Sequence, residues 1–181
     1  MSSALEANVT SLRDDDSLYE IVNGQRVELP PMGIDSTLVA NNLYGEMFIY
    51  LKKNKVGRAV SDALFILEEE PLQKRRPDVA FVSTDRWPLD RPIPTEGDWD
   101  VVPDVAIEVI SPHDIFNNVL TKVGEYFDFG VETVCVIAPI DQSVYIYESA
   151  DRVRLLGRND VLELPKHLPG WSLPLKQLFA R

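Results

Sequence analysis

The chain has 181 residues, is 45% hydrophobic and 26% charged, and carries a formal net charge of −11. That length suits the core of one domain, no apolar run is long enough to span a bilayer, and the acidic balance argues against broad electrostatic affinity for nucleic acid. A single cysteine, Cys135, and only two histidines rule out an internal disulfide and a zinc-type Cys/His cluster.

The first 16 residues, MSSALEANVTSLRDDD, have no basic region followed by an apolar core, so they do not read as a signal peptide. They read as a polar, frayed tail before a single domain over 17–181, and a cytoplasmic location is expected. Leu18 to Leu29, LYEIVNGQRVEL, alternates on both sides of Asn23-Gly24, which predicts a hairpin. Asp35 or Ser36 can cap a helix running to about Lys53. Leu38, Val39, Ile49 and Tyr50 form one side of its wheel, with Asn42 and Glu46 between them. That polar pair either faces a site, making Glu46 a possible additional site carboxylate, or bonds across a helix or dimer interface.

Val56 to Leu67 holds strand-like pieces with Gly57 as a turn residue, and Glu68–Glu70 is a solvated end. Lys74-Arg75-Arg76 is the one basic run, either a charged loop or a phosphate contact. Pro77 to Ser83 reads as a strand with Asp78 at its start, and 85–102 as a loop rich in Pro, Asp and Trp.

Asp104 to Ile110 is a short apolar run with β-branched residues, the pattern of an inner strand. Alternation puts Val105, Ile107 and Val109 on one face, and Ala106, Glu108 and Ile110 on the other. A carboxylate between apolar neighbours needs a cation or donors, which either a structural ion pair or a site could provide. Ser111 is placed to cap the next helix, with Pro112 and Asp114 in its first turn. Ile115, Phe116, Val119, Leu120, Val123, Tyr126 and Phe127 form an apolar stripe, and Gly130 is a natural stop. Lys122 falls at the flank of that stripe. Its stem can cross apolar surface and deliver the ammonium to a site, or simply snorkel to solvent. Thr133 to Ala138, Ser143 to Glu148 and Arg152 to Leu156 read as further strands, the last two antiparallel. A short C-terminal helix ends the chain.

Asp78 precedes Glu108 by 30 positions (108 − 78), and Lys122 follows 14 later (122 − 108). Two acids on neighbouring strands can hold one hard cation, and a lysine beside them can act on developing charge. Taken with their surroundings, these residues resemble the Uma-type restriction endonuclease family, a former domain of unknown function in the PD-(D/E)XK nuclease superfamily. The resemblance runs from about Leu18 to Phe179. Tyr19, Glu20, Ile21 and Gly24 match its opening hairpin motif, and Arg76, Pro77, Asp78 and Val79 match R-P-D-V. Glu108, Val109, Ile110, Ser111 and Pro112 match E-V-L-S-P, while Lys122, Tyr126, Gly130 and Val131 match the helix that follows.

The resemblance implies an α/β (mixed α+β) fold of restriction-endonuclease type, with a central mixed sheet, flanking helices and an N-terminal β-hairpin. It implies Asp78 and Glu108 as ligands of Mg²⁺, or of Mn²⁺ in its place. It implies Lys122 as the catalytic lysine, migrated from the usual position two residues past the second acid, here Ile110. DNA is the implied substrate and a homodimer the implied assembly. The family commonly has a histidine near the start of the long helix, where this chain has Asp35-Ser36-Thr37, and an aspartate where it has Ala138. The other readings are a catalytically inactive nuclease-fold domain used for binding or dimerisation, and hydrolysis of some other phosphodiester.

Overall fold

The structure, a computed structural model, describes residues 17–111 and 114–180. The expected tail over 1–16 and the expected first-turn Pro112 lie outside those residues. Strands β1 (Tyr19–Val22) and β2 (Gln25–Glu28) form the hairpin, turning through Asn23 (φ 51°) and Gly24 (φ 76°). Two consecutive positive φ angles make the twist-matched turn that Asn-Gly favours.

Helix α1 (Ile34–Lys53) starts one residue before the expected caps. Gly33 occupies the cap position, and its carbonyl accepts bonds from the Thr37 N–H (2.9 Å) and Oγ1 (3.0 Å). The face it buries is also a correction. Val39, Ala40, Leu43, Met47 and Leu51 are buried, while Leu38 and Ile49 are exposed. Apolar residues ring much of this helix, so spacing alone does not choose the inner face.

Strands β3 (Gly57–Ser61), β4 (Phe65–Glu69), β5 (Leu72–Arg75) and β6 (Val79–Ser83) follow. Gly57 lies within β3 and is not a turn residue. A Cβ there would sit 2.3 Å from the Val82 carbonyl oxygen and 2.6 Å from the Phe81 ring. The basic run is β5 and its exit, not a loop. Lys74 pairs with Asp98 at 2.6 Å, Arg75 with Glu20 and Glu125, and the Arg76 guanidinium donates to the Tyr19 and Asp62 carbonyls.

Next come β7 (Val105–Val109), α2 (Phe116–Asp128), β8 (Thr133–Ala138), β9 (Ser143–Ser149) and β10 (Arg152–Leu156). The chain closes with β11 (Val161–Glu163), β12 (Ser172–Pro174) and the short α3 (Leu175–Leu178). The β11–β12 pair was not visible as a pattern in the sequence. Helix α2 begins later than Ser111 suggests, with Ile115 in the cap position. Ser111 instead closes a turn with Asp114: its N–H donates to Asp114 Oδ2 at 2.6 Å, and the Asp114 N–H returns to the Ser111 carbonyl. The other end matches expectation. Gly130 has φ 89°, its N–H bonds the Phe127 carbonyl, and the Val131 N–H bonds that of Tyr126, the paired bonds of a glycine-terminated helix.

The central sheet is mixed, in the order β10-β9-β8-β7-β6-β3, with β7 and β8 parallel and every other pair antiparallel. A parallel pair needs a crossover, which α2 supplies. A second sheet, β2-β1-β5-β4, is antiparallel. One face of the central sheet packs Val105, Ile107 and Val109 with α1 and the C-terminal segment. The other packs Ala106, Val134 and Val136 with Val123 and Tyr126 of α2. Glu108 belongs to this second face, as alternation along β7 requires. Cys135 is fully buried on the first face, and burial pushes its thiol up to about 12. Among the described residues, no helix is long and apolar enough to cross a membrane.

Candidate active site

Strands β6 and β7 pair antiparallel, with Val79 opposite Ile107. One step further along that register lies Asp78 against Glu108, and there the regular ladder gives out. The Val109 N–H donates to Asp78 Oδ2 at 2.5 Å. Proximity costs the two acids. Burial, then the charge of Glu108, pushes Asp78 up to about 7, although the Val109 N–H and Lys122 pull the other way.

Helix α2 brings its donors to the same place. Lys122 and Tyr126 are four apart and so share a face. Lys122 Nζ reaches Glu108 Oε2 at 3.0 Å, and the Tyr126 hydroxyl donates to Oε1 at 2.6 Å. Burial and the Glu20 charge outweigh both donors and leave the Glu108 carboxyl above its ordinary range. Burial alone would lower Lys122, but Glu108 and Glu20 hold its ammonium at about 12. At neutral pH this lysine is a cation and a hydrogen-bond donor, not a base.

The expected residues Asp78, Glu108 and Lys122 therefore come together. Glu46 does not join them. It accepts a bond from Gln177 Nε2 at 2.6 Å, and Asn42 donates to the Leu178 and Ala180 carbonyls. The polar pair on α1 anchors the C-terminal segment, which is the interface role that spacing left open.

Sequence reasoning placed Glu20 in the hairpin motif and Arg75 in the basic run but put neither of them, nor Glu125, in the site, yet they complete the cluster. Glu20 is only 2% exposed. It bonds Lys122 at 2.9 Å, Arg75 at 2.6 Å and the Arg76 N–H at 2.9 Å. Burial raises its carboxyl, but Lys122 and Arg75 hold it below the usual range. Arg75 also pairs with Glu125 of α2. The signals for Glu20 were its match to the family's hairpin motif and its place in the YEIV strand, whose alternation points instead to Tyr19 and Ile21 as the inner residues. A cleft of about 420 Å³ opens over Glu20, Glu108 and Lys122, bordered by the hairpin and α2.

Four interlocked carboxylates (Glu20, Asp78, Glu108, Glu125) face two cations (Arg75, Lys122). With all four carboxylates ionised, the two negative charges in excess, on all-oxygen donors, suit one hard divalent cation. Each carboxylate has about four lone-pair positions, so Glu108 can bind a cation while keeping both donors. Asp104 just before β7, Glu132 just before β8 and His167 between β11 and β12 form a second group, with ligand atoms within 4.8 Å of one another. By spacing it could also hold a metal. Side-chain cations already stand there: Arg86 lies 3.1 Å from Asp104 and Lys166 lies 2.9 Å from Glu132, while His167 Nε2 meets Thr133 Oγ1 at 2.9 Å.

The family model Uma2, described as "Putative restriction endonuclease", matches residues 5–176. No curated protein matches the chain. Among solved structures, a "putative nuclease belonging to DUF820" from Anabaena variabilis has the same fold, with a TM-score of 0.77 over 96% of each chain at 17% identity.

Proposed function

The chain belongs to the Uma2 family of restriction-endonuclease type, and on that premise we propose that it is a metal-dependent endonuclease hydrolysing DNA phosphodiester bonds. Asp78 and Glu108 are the ligands of a divalent cation, Mg²⁺ with Mn²⁺ as a substitute. The observation that carries this reading is the pair of carboxylates that the β6–β7 pairing brings together, with the Lys122 ammonium 3.0 Å from one of them. A hard divalent cation at such donors supplies Lewis acidity toward a phosphoryl oxygen and a water molecule. Lys122 donates hydrogen bonds toward charge that develops on the phosphate, and Glu20 with Arg75 fixes where its ammonium points. Tyr126 orients Glu108 through the bond to Oε1. Where both strands of a duplex are cut, two such sites or one repositioned site are needed; the family resemblance favours two, and a homodimer is the assembly proposed here.

Calorimetry with Mn²⁺ and nicking of supercoiled plasmid at low salt test this together. The Lys122→Met variant is expected to bind Mn²⁺ like the wild type and to lose nicking by on the order of 10²–10³. Equal nicking by both proteins would refute the role of the lysine. One observation favours a second reading, a binding module without activity: the Lys122 ammonium is already held by two carboxylates. Wild-type protein that binds Mn²⁺ yet nicks nothing would favour it.

A further inference from the structure

A groove of about 790 Å³ runs along the outer edge of β3, between the end of α1 and the loop after β6. Its size lies within the roughly 300–1,000 Å³ of small-ligand clefts. Phe48, Leu64, Leu89, Ile93, Pro94 and Trp99 give it an apolar lining. Three of these are large and open to solvent: Phe48 at 42%, Leu89 at 40% and Ile93 at 42%. Trp99 is buried and stacked on Phe65, so it forms the floor.

The charge of the groove opposes that of the chain. Lys52, Lys55, Arg58 and Arg76 line it against Asp62 and Asp98, and Asp98 is already paired with Lys74. Arg58 is committed to the Trp87, Pro88 and Leu89 carbonyls and so shapes the loop wall. Lys52 lies over the Phe48 ring at 4.7 Å. Lys55 is exposed and has no ion pair among the described residues. Asp78 and Glu108 do not line the groove, but its Asp62 end lies beside Asp78 where the β3–β6 pairing ends. The Asp62 N–H bonds the Asp78 carbonyl at 3.3 Å, and Arg76 stands two residues before Asp78.

We propose that this groove binds one unstacked nucleotide of the substrate strand, next to the phosphate presented to Asp78 and Glu108. The base lies against Leu64, Leu89, Ile93 and Pro94, and its phosphates face Lys52 and Lys55. An occupant that fits is apolar on one side, anionic on the other, and connected to the site at Asp78. A nucleotide in a single strand, or swung out of a duplex, meets all three conditions. A stacked base pair offers no apolar face to such a groove. Burying a base against these apolar side chains adds a hydrophobic source of affinity to the local charge of Lys52 and Lys55, in a chain whose net charge of −11 gives no broad attraction for DNA. The substrate class is therefore single-stranded or locally unpaired DNA in preference to regular duplex.

This inference rests on the nuclease reading for what the neighbouring site does, so its test reads binding apart from cleavage. Fluorescence anisotropy in Ca²⁺ would compare an end-labelled single strand of roughly 12 nucleotides with the same sequence as a duplex. The full-length wild type is compared with the double variant Lys52→Glu/Lys55→Glu and, separately, with Ile93→Asp, all at exposed positions. The single strand is expected to bind at least about tenfold more tightly than the duplex, and each variant to lose about tenfold of that affinity with an unchanged melting temperature. Single-strand binding that survives in both variants, a preference for duplex, or no binding of either form would overturn the proposal. Should the variants cleave single strands like the wild type, the groove assignment fails while the nuclease reading stands. Should the groove bind as described while no metal supports cleavage, the reverse holds.

Discussion

Asp78 shows at the scale of one residue how a site can oppose stability. Its ordinary pKa near 3.8 is pushed up to about 7 by burial and by Glu108. As pH rises from about 4, the unfolded chain releases this proton before the folded chain does. Stability is thus untouched at low pH, falls between about 4 and 7, and stays reduced above that. Asn at this position can still accept the Val109 N–H and never ionises. We predict that Asp78→Asn raises the neutral-pH stability of metal-free protein by on the order of 1–3 kcal/mol, discounted because Asp78 is partly solvated. The same variant should abolish Mn²⁺ binding in calorimetry. Thermal melts in EDTA at pH 5 and pH 8 provide the check, and a gain confined to pH 5 would contradict the sign.

At the scale of elements, two glycines carry opposite meanings. Gly130 ends α2 with positive φ and open space around its missing Cβ. Gly57 has no unusual dihedral, yet a methyl group there would press on the Val82 backbone and the Phe81 ring. The second obstacle is the harder one, because β3 and β6 are hydrogen-bonded and neither can move alone. Gly130→Ala should cost about 1 kcal/mol, the penalty of a left-handed Cβ. Gly57→Ala should cost more, in the roughly 1–3 kcal/mol range of overpacking or above it. Urea denaturation of both variants decides the order, and an equal or smaller loss for Gly57→Ala would show that the strand edge yields.

At the scale of the whole molecule, the small sheet and α2 are joined at the candidate site. Glu20 of β1 and Arg75 of β5 meet each other and reach Lys122 and Glu125 of α2. The hairpin is therefore a wall of the cleft as well as a local structure. The expected homodimer belongs to this scale too. Light scattering at micromolar concentration should return twice the monomer mass, and a monomer alone would restrict the proposed enzyme to one strand per encounter.

Much of this was legible in the sequence because it depends on neighbours along the chain. The Asn23-Gly24 turn, the alternation that isolates Glu108 between Ala106 and Ile110, and the Gly130 stop all follow from local backbone geometry. The family resemblance, and not spacing alone, grouped Asp78, Glu108 and Lys122 into one site, and the register of β6 on β7 with α2 crossing above brings them together. Other features required the tertiary structure. Which side of α1 is buried depends on the sheet it meets, since Leu38 and Val39 are equally apolar and only one of them is covered. Glu20 becomes part of the cluster because Arg75, 55 residues away, folds back beside it. The cationic groove is assembled from α1, β3 and the loop after β6, none of which carries its charge pattern alone. Periodicity reports the spacing within an element, whereas burial and ion pairing depend on which distant elements the sheet order makes adjacent.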